Sequence, residues 1–415
     1  MRVKVLIPPL KRSLAMWRLG FFFHEMGFGL LSIFLPLYLY SIDSTNGLFY
    51  VGLMIAIALF AAIPASFFWG YLCDKTRHYK RYILLAFLGS TVMLCLFTFT
   101  ANIALLITIY AIMSILHVAH EAPKNVLISE LYSHQDWKKN FAFYEGFTEV
   151  GSLIGLLLGF FASSYGFGPA STLFLVAGLN FMAFVLSAIL VVDPSMIFER
   201  GLVTLEKTVD FASRGIFLAS KMMDGIGLDE RLKRENVTAF CCGLVLFSLA
   251  TSILFTPMPI FVSNIVSEAG LPASLVFAIF VLNSAGGVGG YFLAGSRSTR
   301  STGKIGVGKI VMFRSLLAFL LIAGLEMPSY NVILATTILV LLGFANAMFL
   351  VYALSLSMEL IPAGKAGMFN VLIGVGGAFG SFVGPLIAQT FGFLHVFAVA
   401  GIIFCLAYAA FKFFA

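Results

Sequence analysis

The stretch GYLCDKTRHYKR, residues 70–81, is a short basic segment between two long apolar runs. It contains four Lys or Arg residues and a single carboxylate, Asp74. The apolar runs on either side are centred near residues 60 and 90, and each is long enough to cross a bilayer core of about 30 Å as a helix. The segment is therefore predicted to be a surface loop between two transmembrane helices.

The same alternation of apolar runs and short polar loops continues through all 415 residues. The chain is 60% hydrophobic and 11% charged, with a mean hydropathy of +1.01, which excludes an ordinary soluble protein. Lipid leaves no partner for an open strand edge, so the spans must be helical. The predicted fold is an all-α polytopic membrane protein with twelve spans, centred near residues 28, 60, 90, 115, 152, 180, 252, 283, 316, 342, 376 and 403.

The basic residues predict the orientation of the chain. Twenty-four of the 26 Lys and Arg fall in the N-terminal segment, in every second loop or at the C-terminus, and the opposite loops contain none. By the positive-inside rule, both termini are predicted to lie on the cytoplasmic side of a plasma membrane. The net charge of +7 follows from this rule, so no nucleic-acid partner is needed to explain it. The opposite loops also lack Asn-x-Ser/Thr sequons, which favours a prokaryotic source.

A long break in the apolar pattern divides the spans six and six. The expected units are a bundle in 1–192, a basic amphipathic linker in 193–236 on the cytoplasmic face, and a second bundle in 237–415. The halves share sequence: SEL at 129–131 and GSLIG at 151–155 match MEL at 358–360 and GSFVG at 380–384, at a constant offset of 229 residues. Parallel six-span repeats are typical of transporters that bind substrate between the halves.

Residues 70–81 also resemble the loop signature of the major facilitator superfamily, Gly-x-x-x-Asp-Arg/Lys-x-Gly-Arg-Arg/Lys. Gly70, Asp74 and Lys75 match this pattern, whereas Arg77 stands where the family has Gly and His78 where it has Arg. With the repeat, the resemblance covers the whole chain. It implies two pseudo-symmetric six-helix bundles, alternating access, and a conformational latch formed by Gly70, Asp74, Lys75 and Arg77.

Two departures from related signatures weigh against an ordinary drug/proton antiporter. The antiporter signature of span five is reduced to Gly151, Gly155 and Gly159, with Leu156 replacing its proline. Tyr110 occupies the position of the buried arginine that begins the span-four signature of many such antiporters.

Span four carries an unusual polar face. His117, His120, Glu121 and Lys124 fall within an arc of about 100° on an ideal helix. A charge at mid-bilayer costs at least about 2.5–3.5 kcal/mol, so these groups should face protein or water. Buried carboxyl and imidazole groups can exchange protons near cellular pH, so Glu121, His117 and His120 are predicted to couple transport to protons.

Ion pairs are predicted for the remaining charges. Antiparallel packing brings Lys124 level with Glu145 and close to Glu149, which predicts a structural pair with either carboxylate. Arg18 shares a helical face with Glu25 on span one and is expected to be its structural partner. His24 points about 100° away from Glu25, so the two are not expected to share one site, and Arg314 is expected to reach the cytoplasmic interface.

The second half lacks the charges of span four. In the second repeat, the positions that correspond to the polar face are Asn346, Phe349, Leu350 and Ala353, each 229 residues later. This half should therefore contribute neutral contacts. The predicted substrate cavity comprises Glu25, Ser32, Tyr110, Asn283, Asn346, Phe349 and Tyr352, lined mainly by spans one, four, seven and ten.

These features predict a monomeric, proton-coupled secondary transporter for a small organic solute, with the proton gradient as driving force and no cofactor. A divalent transition-metal carrier is one alternative, because the span-four His/Glu cluster offers nitrogen and oxygen ligands. A membrane metalloenzyme is a further alternative, but it would require a His-Glu-x-x-His motif. The two His-Glu pairs of the chain are followed by Phe28 and Lys124 where the second His of that motif should stand. A non-transporting receptor remains a further alternative. The five cysteines show no metal-ligand spacing. No resident metal site and no catalytic residue are predicted.

Overall fold

The structure is a computed structural model that describes residues 16–131, 137–193, 237–296, 303–325, 331–360 and 367–414. The regular structure within these ranges is helical, and twelve of the described helices are long and apolar enough to cross a membrane. The predicted all-α polytopic fold is confirmed. Apart from its first residue, the predicted linker helix in 193–236 lies outside the described residues.

We number the spans 1 to 12 in chain order. Spans 1 to 6 are Arg18–Ile42, Gly47–Thr76, Tyr79–Phe97, the pair Ile103–His117 and Glu121–Leu131, Trp137–Ser164, and Pro169–Leu190. Spans 7 to 12 are the pair Val237–Phe255 and Met258–Glu268, then Leu275–Ser296, Gly303–Leu325, Asn331–Leu360, Gly367–Phe391 and Phe393–Phe414.

Two spans are interrupted near prolines. In span 4, residues Val118–His120 form a 3₁₀ turn. Pro123 lacks the N–H that would bond to the carbonyl of residue 119, and its ring crowds that carbonyl, so the preceding turn tightens. In span 7 the first helix ends at Phe255, and the second begins after Pro257. Both breaks place irregular backbone inside the protein, where neighbouring helices can satisfy it.

The repeat is visible in how the helices pack. Gly155 of span 5 lies against span 1, where an added Cβ would come 1.9 Å from the Met26 carbonyl oxygen. Gly384 of span 11, 229 residues later, lies against span 7, where a Cβ would come 2.3 Å from the Ile253 carbonyl oxygen. Only glycine permits this close approach of two backbones. The same pair of helices therefore packs in the same way in each half.

The two halves meet through span 5 against span 8 and span 2 against span 11. At one end, the Phe49 N–H donates to Gln389 Oε1 at 2.7 Å, and Gln389 Nε2 donates to the Thr45 carbonyl at 3.1 Å. Ile260 of span 7 packs there into the core of spans 1 to 6. These contacts close the bundle at the end whose loops lack Lys and Arg.

Candidate functional site

The first part of the candidate site is a chain of hydrogen bonds through spans 6, 1 and 4. Asn180 Nδ2 donates to the Val176 carbonyl at 3.0 Å, which turns Oδ1 toward His24 Nδ1, 2.6 Å away. His24 therefore carries its proton on Nδ1. A neutral His24 can then accept at Nε2 from His117 Nδ1, at 3.0 Å.

His24 is thus part of the cluster, a contact that the sequence did not predict. That His24 and Glu25 do not share one site stays a prediction. The helical angle was measured from Glu25, which shows only that the two side chains leave span 1 in different directions. Spans 4 and 6 both pack near His24, and its side chain is completely buried between them. The signal for this contact was Asn180, an amide in the otherwise apolar sixth span.

The second part lies on span 4 itself. His120 Nδ1 is 2.6 Å from the His117 carbonyl oxygen, so it must donate a proton there. Its other nitrogen, Nε2, lies 3.3 Å from Glu121 Oε1. Glu121 Oε2 in turn accepts from Lys124 Nζ at 2.6 Å, and Lys124 Nζ lies 3.9 Å from Glu145.

The contact between His120 and Glu121 depends on one proton. A neutral His120 with its proton on Nδ1 directs a lone pair at the carboxylate oxygen, which is repulsive, whereas a proton on Nε2 makes the contact an ion pair. Lys124 donates to the other oxygen of the same carboxylate at 2.6 Å. With the proton bound, the cluster carries two positive charges, on His120 and Lys124, beside Glu121.

The predicted ion pairs are formed in part. Lys124 does approach Glu145, but its nearer partner is Glu121, three residues earlier on the same helix. Glu121 is therefore the nearest partner of Lys124, whereas Glu145 or Glu149 was predicted to pair with it. Glu149 instead accepts from Ser284 Oγ of span 8 at 2.7 Å, which joins the two halves.

Two further charged residues of span 1 lie near this network. The Cζ atom of Arg18 lies 5.1 Å from the Phe143 ring centroid of span 5. Glu25 packs against span 5, because a Cβ added at Gly151 would lie 3.5 Å from the Cβ of Glu25. The predicted pair of Arg18 with Glu25 stays a prediction.

A cavity of about 340 Å³ lies between the halves. Its polar lining residues are Ser32, Glu149, Ser152, Thr251, Ser252, Thr256, Asn283 and Ser284. Its apolar lining residues are Ile33, Pro36, Ile55, Leu156, Phe255, Pro259 and Phe280. These residues belong to spans 1, 2, 5, 7 and 8, which differs from the predicted set of spans 1, 4, 7 and 10. Spans 5 and 8 enter the wall because the Glu149–Ser284 contact draws them together.

Ser32 and Asn283 were predicted to line a cavity and lie in this one. Asn283 Oδ1 is buried with no hydrogen-bond partner among the described residues, so it can accept from a solute. The other predicted residues lie elsewhere. Tyr110 packs edge-on against Phe97, and Phe349 and Tyr352 lie in the hydrophobic core of spans 7 to 12.

Arg314 does not reach the interface, and that prediction is wrong. It is completely buried in span 9, and its Nη1 donates to Asn346 Oδ1 of span 10. Its Cζ lies 4.7 Å from the ring centroid of Phe247, 5.0 Å from Phe404 and 5.7 Å from Phe255. Arg314 is buried because spans 7, 10 and 12 cover this face of span 9.

The predicted latch lies at the end of span 2. Asp74 and Lys75 are exposed, and a Cβ on Gly70 would meet open space. Arg77 ends the helix in the left-handed conformation, with φ of 56°, and its N–H donates to the Cys73 carbonyl at 2.8 Å. This conformation explains why the resembling signature has glycine at this position. The latch role itself stays a prediction.

Comparisons with known proteins agree on the family. The family described as "Major Facilitator Superfamily" matches residues 19–372. Multidrug resistance protein MdtG of Proteus mirabilis (strain HI4320) is 25% identical over 401 residues, covering 93% of this chain and 92% of that protein. MdtG of Serratia proteamaculans (strain 568) is 24% identical over 413 residues, covering 95% and 91%.

Solved structures share the fold at low sequence identity. The nucleoside transporter NupG superposes with a TM-score of 0.71 at 14% identity, covering 98% of each chain. The human organic anion transporter MFSD10 (TETRAN) superposes with a TM-score of 0.69 at 14% identity, covering 98% of this chain and all of the other. At this identity the likeness concerns the fold alone.

Proposed function

The chain belongs to the Major Facilitator Superfamily, and from this premise we propose that it is a secondary active transporter which couples movement of a small organic solute to protons. The family and its relatives are transporters, which points away from an enzyme. Its twelve spans and its bacterial relatives suggest a multi-pass protein of an inner membrane. Both termini in the cytoplasm, a monomeric state and the absence of a cofactor belong to the proposal.

The observation that carries the proton coupling is the contact between His120 Nε2 and Glu121 Oε1. It is 3.3 Å long and needs one proton to be attractive. When that proton leaves, two lone pairs face each other and the contact must open. The groups that face it are Lys124 on the same helix, Glu145 on span 5, and His117 and His24 on the opposite side.

The backbone around this contact is suited to respond. His120 ends the 3₁₀ turn and Glu121 begins the next helix, so the contact spans the interruption of span 4. A short 3₁₀ segment within a long helix is a weak point at which two helical parts can pivot. Loss of the proton therefore favours a change in angle between Ile103–His117 and Glu121–Leu131. This change is the proposed link between protonation and alternating access.

The metal-carrier alternative is weaker. His24, His117 and His120 do place ligand atoms within 4.8 Å of one another. His24 Nε2 and His117 Nδ1 already bond to each other, however, and Lys124 adds a positive charge beside the cluster. The relative MdtG is named a multidrug resistance protein, and we infer an organic solute.

The test is uptake by the full-length protein in proteoliposomes, using a radiolabelled solute selected in a thermal-shift screen of the purified protein. Glu121→Gln preserves shape and removes the charge that holds the proton. We expect accumulation driven by an imposed pH gradient to be lost, while exchange without a gradient persists. Glu268→Gln, an exposed carboxylate at the end of span 7, is the matched control and should accumulate solute normally.

Retained accumulation in both Glu121→Gln and His120→Gln would show that the cluster is structural. Transport of added Mn²⁺ or Fe²⁺ that these variants abolish would instead establish the metal carrier.

A further inference from the structure

Arg314 is a buried cation whose charge is not compensated. Its side chain has no exposed surface, and Nε and Nη2 have no hydrogen-bond partner among the residues that the structure describes. Within the same residues, no carboxylate lies within ion-pair distance of the guanidinium; the amide oxygen of Asn346 is its hydrogen-bond acceptor. Buried arginines are normally paired, and an ionisable residue inside a membrane marks a functional site by default.

The two unpartnered atoms are adjacent on the guanidinium. Nε–H and the nearer N–H of Nη2 form one edge of the planar group, and Asn346 takes Nη1 on another edge. An edge with two parallel N–H donors matches the two oxygens of a carboxylate or of a phosphoryl group. The rings around Arg314 attract its charge but cannot accept from both N–H groups in good geometry. The open edge is therefore specific for a planar or tetrahedral oxyanion.

Phe255 lies beside both Arg314 and the cavity between the halves. Its ring centroid lies 5.7 Å from Arg314 Cζ, and the same side chain lines the cavity. Phe255 is also the last residue of the first helix of span 7, directly before the break at Thr256 and Pro257. A side chain at a helix end beside a break can turn more freely than one inside a helix. Rotation of this ring would connect the cavity with the guanidinium.

We propose that Arg314 binds the acidic group of the transported solute, which is a small organic anion bearing a carboxylate or phosphonate group, and that Phe255 gates this subsite. The inference rests on the proposed function, because it takes the cavity as the transport site. The acidic group lies on the side of spans 7 and 9. The rest of the solute lies among the hydroxyl groups of the cavity and reaches toward Glu149 on span 5, which requires hydrogen-bond donors there.

Binding to the full-length purified protein in detergent tests the proposal without any gradient. The probes are benzoate and phenylphosphonate, compared with neutral benzamide and cationic benzylamine at equal millimolar concentration and equal ionic strength. Ligands that bind the folded state raise the midpoint of thermal unfolding. We expect both anions to raise it and neither comparison compound to do so.

Variants locate the site. Arg314→Gln should abolish the shift caused by the anions, and Arg314→Lys, which keeps the charge without the fork, should weaken anion binding at least tenfold. Arg18→Gln is the matched control, a buried arginine of the other half, and should keep the full shift. Phe255→Ala removes the gate and should accelerate association of benzoate at least several-fold in stopped-flow measurements. This measurement does not depend on whether the Arg314 variants fold.

An anion-induced shift that survives Arg314→Gln would overturn the proposal, as would the absence of any shift with the wild-type protein. Unchanged association kinetics in Phe255→Ala would overturn the gate. Because these measurements use one fixed pH, their failure is separate from failure of proton coupling in proteoliposomes.

Discussion

In spans 1 to 6, Lys124 lies between two carboxylates, with its Nζ 2.6 Å from Glu121 and 3.9 Å from Glu145. In spans 7 to 12, Arg314 lies among three phenylalanine rings and one amide, and two of its nitrogen atoms have no partner among the described residues. Arg314 is completely buried and Lys124 is 12% exposed, and each lies in a repeat of the same helical plan. Among the described residues, Lys124 has carboxylates within ion-pair distance and Arg314 has none.

The difference indicates a division of labour. A network that contains its own acids and bases can gain or lose a proton, and the His120–Glu121 contact changes when it does so, which suits proton coupling. A cation without a protein counter-charge costs free energy until an anion arrives, so it suits binding of a solute. We therefore propose that the first half holds the proton and the second half holds the charge of the solute.

The largest expected effect comes from breaking the compensated pair. Lys124→Met leaves Glu145 without its cation and Glu121 with His120 as its remaining partner. Removing one partner of a buried ion pair costs about 3–5 kcal/mol, and we expect about 3 kcal/mol because Glu121 is 33% exposed. Thermal or denaturant unfolding in detergent measures this loss. A loss below about 1 kcal/mol, the usual value for an exposed ion pair, would contradict the assigned pairing.

The matched change in the other half should have the opposite sign. Arg314→Met removes an uncompensated charge from an apolar site and loses the contacts with the rings and with Asn346. We expect a net gain of about 1 kcal/mol in the free energy of unfolding without solute, since apolar replacements of buried charges are often stabilising. Destabilisation by as much as Lys124→Met would show that Arg314 is a structural cation.

A third substitution, at Arg77, lies outside the surroundings of both Lys124 and Arg314 and serves as a reference for the two changes above. Arg77 adopts a left-handed backbone with φ of 56°, which costs a residue with a side chain about 1–2 kcal/mol. Arg77→Gly should therefore stabilise the protein by up to about 1 kcal/mol, after the greater freedom of glycine in the unfolded chain is subtracted. Anion binding should be unchanged. A loss of stability would show that the Arg77 side chain makes contacts that outweigh the strain.

The sequence predicted most of the fold. Apolar runs, basic loops and the 229-residue repeat specified twelve spans in two halves, because lipid imposes span length and helical structure directly. The sequence also placed His117, His120, Glu121 and Lys124 together, since they lie on one helix and their spacing is local.

Contacts between distant spans were not predictable in the same way. His24 joins the cluster because span 1 packs against spans 4 and 6, and helical angle on a single span carries no such information. Arg314 was misplaced for a similar reason, because depth along span 9 does not show which neighbours cover it. The cavity wall also depends on a contact between halves, that of Glu149 with Ser284, which no local pattern encodes.

The most direct test of the account is the protonation state of His120 in the purified protein. Nitrogen-15 labelling of histidine, with assignment of His120 by loss of its signal in His120→Gln, reports whether each ring nitrogen carries a proton. We expect both ring nitrogens of His120 to carry a proton in the wild type and only one in Glu121→Gln, where no carboxylate accepts from Nε2. A bare Nε2 in the wild-type protein would contradict the proposed coupling.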